Sequence, residues 1–430
     1  MILRDPVHGL VAFESAEESL VVELLDAAEV QRLRRVRQLG LASLSYPGAD
    51  HTRFSHAIGS AFVMTRLLRR LRGIHDELPF WQRVTTERAR EALAAALLHD
   101  IGHGPYSHLF EELLPKGPRH EDWTARILLD PGTEVNRILT RTDSTLPGRV
   151  ADLIRGRHEL TFMARAVSGT FDVDRCDYLL RDAHFTGVGY GRFDLDWLLR
   201  SLRFGLSSDA NTAPALAIDG ARGLPAIESF ILARLFMFQQ VYFHKASRAS
   251  DFLLSRIVSR VGELLADGTR VEAVPAGLAA IARDGDATLG EYLDLDDAAM
   301  SRALSAWQSS KDPVLGDLSR RLMARNLFKT YELMGDKATP VVRLELYDLA
   351  REIARESGLD PEKYVGLDAP ADVPFDDTGE PLTVIFPGDV ERRPGDVSFL
   401  LGRLRGQKLE RVRLVFAPEL RERVVSAVGS

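Results

Sequence analysis

Ala96-Leu97-Leu98-His99-Asp100-Ile101-Gly102-His103-Gly104-Pro105 decides how this chain is read. An apolar helix runs into an adjacent imidazole–carboxylate pair and stops at two glycines and a proline. Side chains so placed can both reach one hard or borderline cation, which polarises a phosphoryl oxygen and acidifies water. The preceding segment, Thr86–Leu98, is alanine-rich and apolar on a wide face, as expected of a buried central helix.

Partners for the pair lie on both sides. In His51-Thr52-Arg53-Phe54-Ser55-His56, Arg53 and His56 are three apart and share a face of a helix expected over 53–72. Asp172-Val173-Asp174-Arg175 opens another helix with a carboxylate in its first turn, so Asp174 is a candidate fourth ligand beside His56, His99 and Asp100. Two imidazoles, two carboxylates and open positions suit one divalent transition metal (Fe, Mn, Co, Ni or Zn), with Mg entering on substrate phosphates. His103, flanked by Gly102 and Gly104, suits a general acid or a phosphate donor. His120, in Arg119-His120-Glu121-Asp122, is a further imidazole opening a helix, while for a lone His56 a capping or core role is the plainer alternative.

Two polar faces point to a charged ligand. Asp174, Tyr178, Arg181 and Asp182 share one helix face, an unusual composition for a core stripe. Arg234, Tyr242 and Lys245 share a face of a helix expected over 227–264. With Arg53 they are candidates for binding a polyphosphate, Tyr242 packing on sugar or base. For Lys245 the alternative is a basic helix end reaching solvent.

The 430 residues bury a large core, and the formal charge of −7 argues against a general nucleic-acid coat. One cysteine, Cys176, excludes an intrachain disulfide and suggests a reducing compartment. No signal peptide and no bilayer-crossing run is expected, so the chain reads as soluble and cytoplasmic, without membrane partners. The first ten residues read as an extended lead-in, 19–39 as helix interrupted near Asp26, and 107–114, 121–129, 174–182 and 309–331 as helices. Loops are expected over 207–214 and 284–286. Strands are expected at 341–346, 382–386 and 412–416, with a helix over 347–356. The fold class is mainly α: a helical catalytic domain over 1–335 and a small α/β lobe over 336–430, packing on that domain or forming an oligomer interface.

Taken in order, Asp5-Pro6-Val7-His8-Gly9, Gln38-Leu39-Gly40, His51 to Gly59, His99 to His108, Asp172 to Asp182 and Tyr242-Phe243-His244-Lys245 carry a resemblance. The chain resembles the HD-domain phosphohydrolases, and within them the branch of the vertebrate SAM-and-HD-domain deoxynucleoside triphosphate triphosphohydrolase and its bacterial relatives. The motifs begin at residue 5, so no SAM domain is expected ahead of them. The resemblance implies His56, His99, Asp100 and Asp174 as metal ligands, His103 and His120 beside the scissile phosphate, and Glu121 tuning a histidine. It implies phosphate contacts from Arg175 and Tyr178, and sugar contacts from Asp182 and Gln38. His108 reads as structural. The implied reaction is cleavage of deoxynucleoside triphosphates to deoxynucleosides and inorganic triphosphate. The implied partners are a dGTP-like effector at Asp26, Gln31 and Arg34 and further copies of the chain, as a dimer or tetramer.

Two departures bear on this. Relatives commonly carry lysine where Arg175 stands, and Met1-Ile2-Leu3-Arg4 lacks the lysine and asparagine expected before Asp-Pro. The rival readings are another HD hydrolase, acting on a nucleoside monophosphate, an alarmone or a cyclic dinucleotide, and a catalytically silent nucleotide sensor or nucleic-acid binder.

Overall fold

Small side chains let helices approach closely, and the alanine run uses this. In the computed structural model, which describes residues 1–205, 214–378 and 382–429, Ala92 to Leu98 are almost fully buried. Helix α1 (Arg53–Arg72) and helix α2 (Thr86–Leu98) pack side by side. Thr85 caps α2 by accepting the Arg88 amide at 3.3 Å. After His99 the chain turns through Gly102, where a Cβ would run into the backbone at His120 and Thr124. Helices α3 (His108–Leu113), α4 (His120–Leu129) and α5 (Val173–Thr186) close the site.

Tyr106 and Ser107 take the left-handed region, at φ of 57° and 60°, which costs energy for residues bearing a Cβ. Their surroundings hold them there. The Tyr106 amide donates to Asp297, and the Ser107 hydroxyl donates to Arg37 O at 2.7 Å while accepting from Arg53 Nε at 2.8 Å.

The expected extended lead-in is a hairpin of β1 (Ile2–Asp5) and β2 (Gly9–Ala12), whose turn is held by Asp5 accepting the Val7 and His8 amides. Strands β3 (Leu202–Phe204) and β4 (Leu216–Asp219) follow α5. The loop expected over 207–214 lies, up to residue 213, outside the described residues.

The long helix expected over 227–264 is two helices. Helix α6 (Gly220–Met237) runs into a π turn over Phe238–Tyr242, extended backbone at His244 breaks the line, and α7 (Lys245–Ala266) starts afresh. The helical spacing that put Lys245 on the face of Arg234 and Tyr242 therefore does not carry across.

The expected helix 309–331 ends at Met323, and Lys329–Leu333 is strand β5. Residues 341–346, expected as a strand, form the first turns of helix α8 (Pro340–Glu356). Pro340 presets the first helical φ, and Ala350, Ile353 and Ala354 supply the buried stripe at helical spacing.

The remaining strands are β6 (Val365–Asp368), β7 (Ala371–Asp372), β8 (Thr383–Phe386), β9 (Val390–Arg392), β10 (Leu409–Glu410) and β11 (Val412–Phe416). Sheets run in the orders β5-β11-β6, β3-β4-β8-β9 and β10-β7. The β4–β8 pair is parallel, and both it and β5–β11 join residues before 335 to residues after it. The protein is thus a mainly α-helical core carrying small sheets. Among the described residues no helix is long and apolar enough to cross a membrane.

Gly59 on α1 sits where a Cβ would overlap the Asp177 carboxylate and the Arg181 guanidinium of α5. Gly59→Ala should cost at least about 3 kcal/mol, by forcing the helices apart and disturbing a buried ion pair. Urea unfolding measures it, and an unchanged midpoint would contradict the close α1–α5 contact.

Candidate metal centre and active site

Three helices deliver the donors: α1 brings His56, the end of α2 brings His99 and Asp100, and the first turn of α5 brings Asp174. His56 Nε2 lies 3.0 Å from Asp174 Oδ1 and 3.5 Å from Asp100 Oδ2. His99 Nε2 lies 3.4 Å from Asp174 Oδ1 and 3.5 Å from Asp100 Oδ1. The two Nε2 atoms are 3.3 Å apart.

Hydrogen bonding on the far side of each ring fixes what these nitrogens present. His99 Nδ1 is 2.9 Å from the Ala96 carbonyl, which only accepts, so the proton sits on Nδ1. His56 Nδ1 is 2.7 Å from the buried Asp177 carboxylate, with the same consequence. The two Nε2 atoms therefore face one point together with the Asp174 carboxylate, with Asp100 alongside. Edges of 3.0 to 3.5 Å between donors match a coordination shell whose metal–donor distances are about 2.0–2.2 Å. Burial opposes charge on His56, but Asp174, Asp177 and Asp100 push its pKa up to about 10, so a metal ion binds at Nε2 by displacing a proton. Burial would raise the Asp174 pKa, yet its hydrogen bonds with His56 and His99 hold it far below the carboxylate range. His56, His99 and Asp174 fit a divalent cation by donor type and spacing, and Asp100, with one oxygen 3.5 Å from each ring, stands beside them as the fourth donor.

Asp177 was not singled out in the sequence, and it organises the centre. Besides His56 it meets His8 Nε2 at 2.6 Å and the Arg181 guanidinium at 2.8 and 2.9 Å, and Arg181 continues to Asp5 at 2.8 Å. Arg181 is thereby buried against Asp177 rather than facing the ligand with Tyr178 and Asp182. The readable signal was Asp177 three residues after Asp174 and four before Arg181, on one helix.

A second cluster adjoins the first. His103 Nε2 lies 3.2 Å from Asp100 Oδ1, and its ring stacks on His120 at 4.0 Å. Burial and the Arg53 guanidinium hold His103 neutral, well below the ordinary imidazole range. A neutral His103 donating from Nε2 to Asp100 orients a metal ligand. His120 Nδ1 is 2.6 Å from Glu111 and 3.3 Å from Glu121, whose side chain is more exposed. Glu111 is the better-placed tuning partner, and it was missed; His108, read as structural, meets the His103 ring edge-on at 4.7 Å.

Both clusters open into one cavity of about 610 Å³. Gln38, Arg53, Arg175, Tyr178, Asp182, Arg234 and Tyr242 all line it, as do His103, His120 and Glu121. Lys245 does not: it is exposed beyond the break after the π turn, and Arg248 lines the wall instead. Asp182 is held by His51 at 2.7 Å and by the Tyr242 hydroxyl at 2.8 Å. Each cavity guanidinium already has a carboxylate: Arg53 on Asp100, Arg175 on Asp172, Arg234 on Asp372 and Arg248 on Asp368. Asp26, Gln31 and Arg34 lie outside the cavity. Gln31 bridges Leu25 O and Arg34, whose guanidinium covers the Phe54 ring at 3.6 Å, and Asp26 is exposed.

Family models for the HD domain and the HD associated region match residues 53–182 and 193–429, the second covering more than half of the chain. The chain belongs to the HD-domain family. This HD protein is 34% identical over 376 residues to the uncharacterized protein YwfO of Bacillus subtilis, covering 87% of the chain and 81% of YwfO. It is 26% identical over 378 residues to the deoxynucleoside triphosphate triphosphohydrolase SAMHD1 homolog of Dictyostelium discoideum, covering 82% of the chain and 64% of that protein. A crystal structure of a phosphohydrolase from Bacteroides thetaiotaomicron superposes with a TM-score of 0.80 at 28% identity, covering 97% of this chain and 99% of that one. These relatives show the HD-domain phosphohydrolase superfamily rather than the narrower branch that the motifs suggested. With its donor set, the protein is a metal-dependent hydrolase of that superfamily.

His99→Ala and Asp174→Ala should each remove the bound metal ion, read by elemental analysis of purified protein. Asp177→Asn keeps the four ligands and should weaken metal affinity about 10–100-fold. Full metal content in all three variants would refute the centre. Glu111→Gln should lower kcat about 100-fold, whereas Glu121→Gln should lower it only a few-fold.

Proposed function

We propose that this HD protein is a nucleotide phosphohydrolase that cleaves deoxynucleoside triphosphates to deoxynucleosides and inorganic triphosphate. The observation that carries the reading is one cavity joining the metal donors, the stacked His103 and His120, three guanidinium groups (Arg53, Arg175, Arg234) and the Asp182–Tyr242 pair. Several relatives named as deoxynucleoside triphosphate triphosphohydrolases support it, although the chain spans only 38% of the Bos taurus protein.

When held by His56, His99, Asp100 and Asp174, a divalent ion supplies Lewis-acid polarisation of a phosphoryl oxygen and acidifies water. Arg53 and Arg175 neutralise charge developing on the phosphoryl oxygens, and Tyr178 adds a phenolic donor. His120, oriented by Glu111, gives a proton to the departing sugar oxygen. Asp182, fixed by His51 and Tyr242, and Gln38 receive the sugar 3′-hydroxyl, and Tyr178, which lines the same cavity, excludes a 2′-hydroxyl if its ring packs against C2′. The same reading places a dGTP-like effector at Asp26, Gln31 and Arg34 and couples it to assembly of a dimer or tetramer.

One observation favours a second reading. Arg234 is held by Asp372 at 3.0 Å and by Pro374 O at 2.6 Å, and Lys245 is outside, so fewer cations are free for a triphosphate. A nucleoside monophosphate, or another HD-type nucleotide substrate, needs fewer.

Product analysis separates the two. The metal-loaded protein should convert dATP to deoxyadenosine and inorganic triphosphate, and lose turnover on chelation. Release of orthophosphate from dAMP, with dATP untouched, would install the second reading. Added dGTP should raise the rate on dATP and the size of the particle in solution, and unchanged values of both would remove the effector site.

A further inference from the structure

A smaller chamber of about 150 Å³ opens off the main cavity, sharing Gln38, Leu39, His108, Glu112 and Arg248 with it. Asp251 completes its polar wall, and none of the four metal donors lines it. The wall has an unusual charge pattern. Arg248 binds Asp368 through Nε at 3.1 Å and Nη2 at 2.7 Å, and its Nη1 lies 3.8 Å from Asp251 Oδ2. Glu112 lines the same wall and adds a further negative charge near that guanidinium. Burial, with Glu112 and Asp368 adding to it, lifts the Asp251 pKa to about 7 against the opposing charge of Arg248. The Gln38 carboxamide has a buried oxygen with no hydrogen-bond partner, at the junction of the two chambers.

Such a wall repels phosphate, since carboxylates outnumber cations. It suits a neutral group that offers both acceptors and several N–H donors. Leu39 and the Tyr106 segment supply apolar surface for a flat ring. A nucleobase meets all of these demands. Guanine meets them most fully: a guanidinium pairs with its O6 and N7, while carboxylates accept from its N1–H and amino group. Thymine carries no exocyclic amine.

We propose that this chamber reads the substrate base, Arg248 donating to the carbonyl edge of guanine while Asp251 and Glu112 accept from its N–H edge. The inference rests on the nucleotide reading above and adds a specificity that neither the metal centre nor the phosphate-facing residues supply. Arg248 and Asp251 are specificity residues here, acting on the base and not on the reacting phosphorus.

Competition between dGTP and dTTP in one reaction with the metal-loaded full chain tests it, because the ratio of the two kcat/KM values does not depend on how much of a variant is folded. The wild-type chain should favour dGTP about 10-fold or more, and Arg248→Ala should bring the ratio close to one. Asp251→Asn is the second variant. It should lower the preference for dGTP over dITP, which lacks the amino group, several-fold. Both ratios unchanged within twofold, with turnover retained, would overturn the base-reading chamber and leave the nucleotide reading standing. Absence of turnover on every deoxynucleotide in the wild-type chain would overturn both.

Discussion

The fully buried Asp177 carboxylate is the contact on which the rest of the structure depends. An unpaired charge at that depth is prohibitively costly, so every neighbour is arranged to satisfy it. Arg181 takes it from one turn further along the same helix, His8 reaches it from the N-terminal hairpin, and His56 meets it from α1. His8 and His56 each tie a different element to α5, and Arg181 carries the network on to Asp5. The same carboxylate fixes the His56 tautomer, so one buried charge sets both the packing of the core and the lone pair presented to the metal.

The cavity shows a consistent electrostatic design. Positive groups line it, yet each is already matched by a carboxylate, two of them on the segment following β5. A polyanionic ligand there competes with Asp372 and Asp172 for guanidinium donors. Binding therefore exchanges ion pairs and does not simply add them, which favours discrimination between ligands over bare affinity.

Much of this was legible in the sequence because it is local. Thr86–Leu98 and Arg53–Arg72 declare themselves through spacing and breakers, and the His–Asp pair through adjacency. What was not legible depends on distant partners. Residues 341–346 alternate like a strand but take their conformation from Pro340 and the helical stripe behind them. Lys245 shares a spacing with Tyr242 that a π turn and extended backbone at His244 cancel. Asp177 pairs with Arg181 at a readable helical spacing, but its hold on His56 spans 121 positions, and Glu111 acts through a residue 9 positions later, neither of which a local pattern encodes. The sheets spanning residue 335 escaped for the same reason, since a composition change marks where the chain alters character and not where its hydrogen bonds go.

The pairing of Arg234 and Arg248 with Asp372 and Asp368 also has a bearing on biosynthesis. All of the metal donors and their supports precede residue 187, while these two carboxylates emerge from the ribosome well over a hundred residues later. A nascent chain can thus assemble its metal-binding helices while Arg234 still lacks its counter-charge and Arg248 has only Asp251 and Glu112 nearby. During that interval the half-built cavity is at its most cationic, and the arrival of the C-terminal strands quenches it.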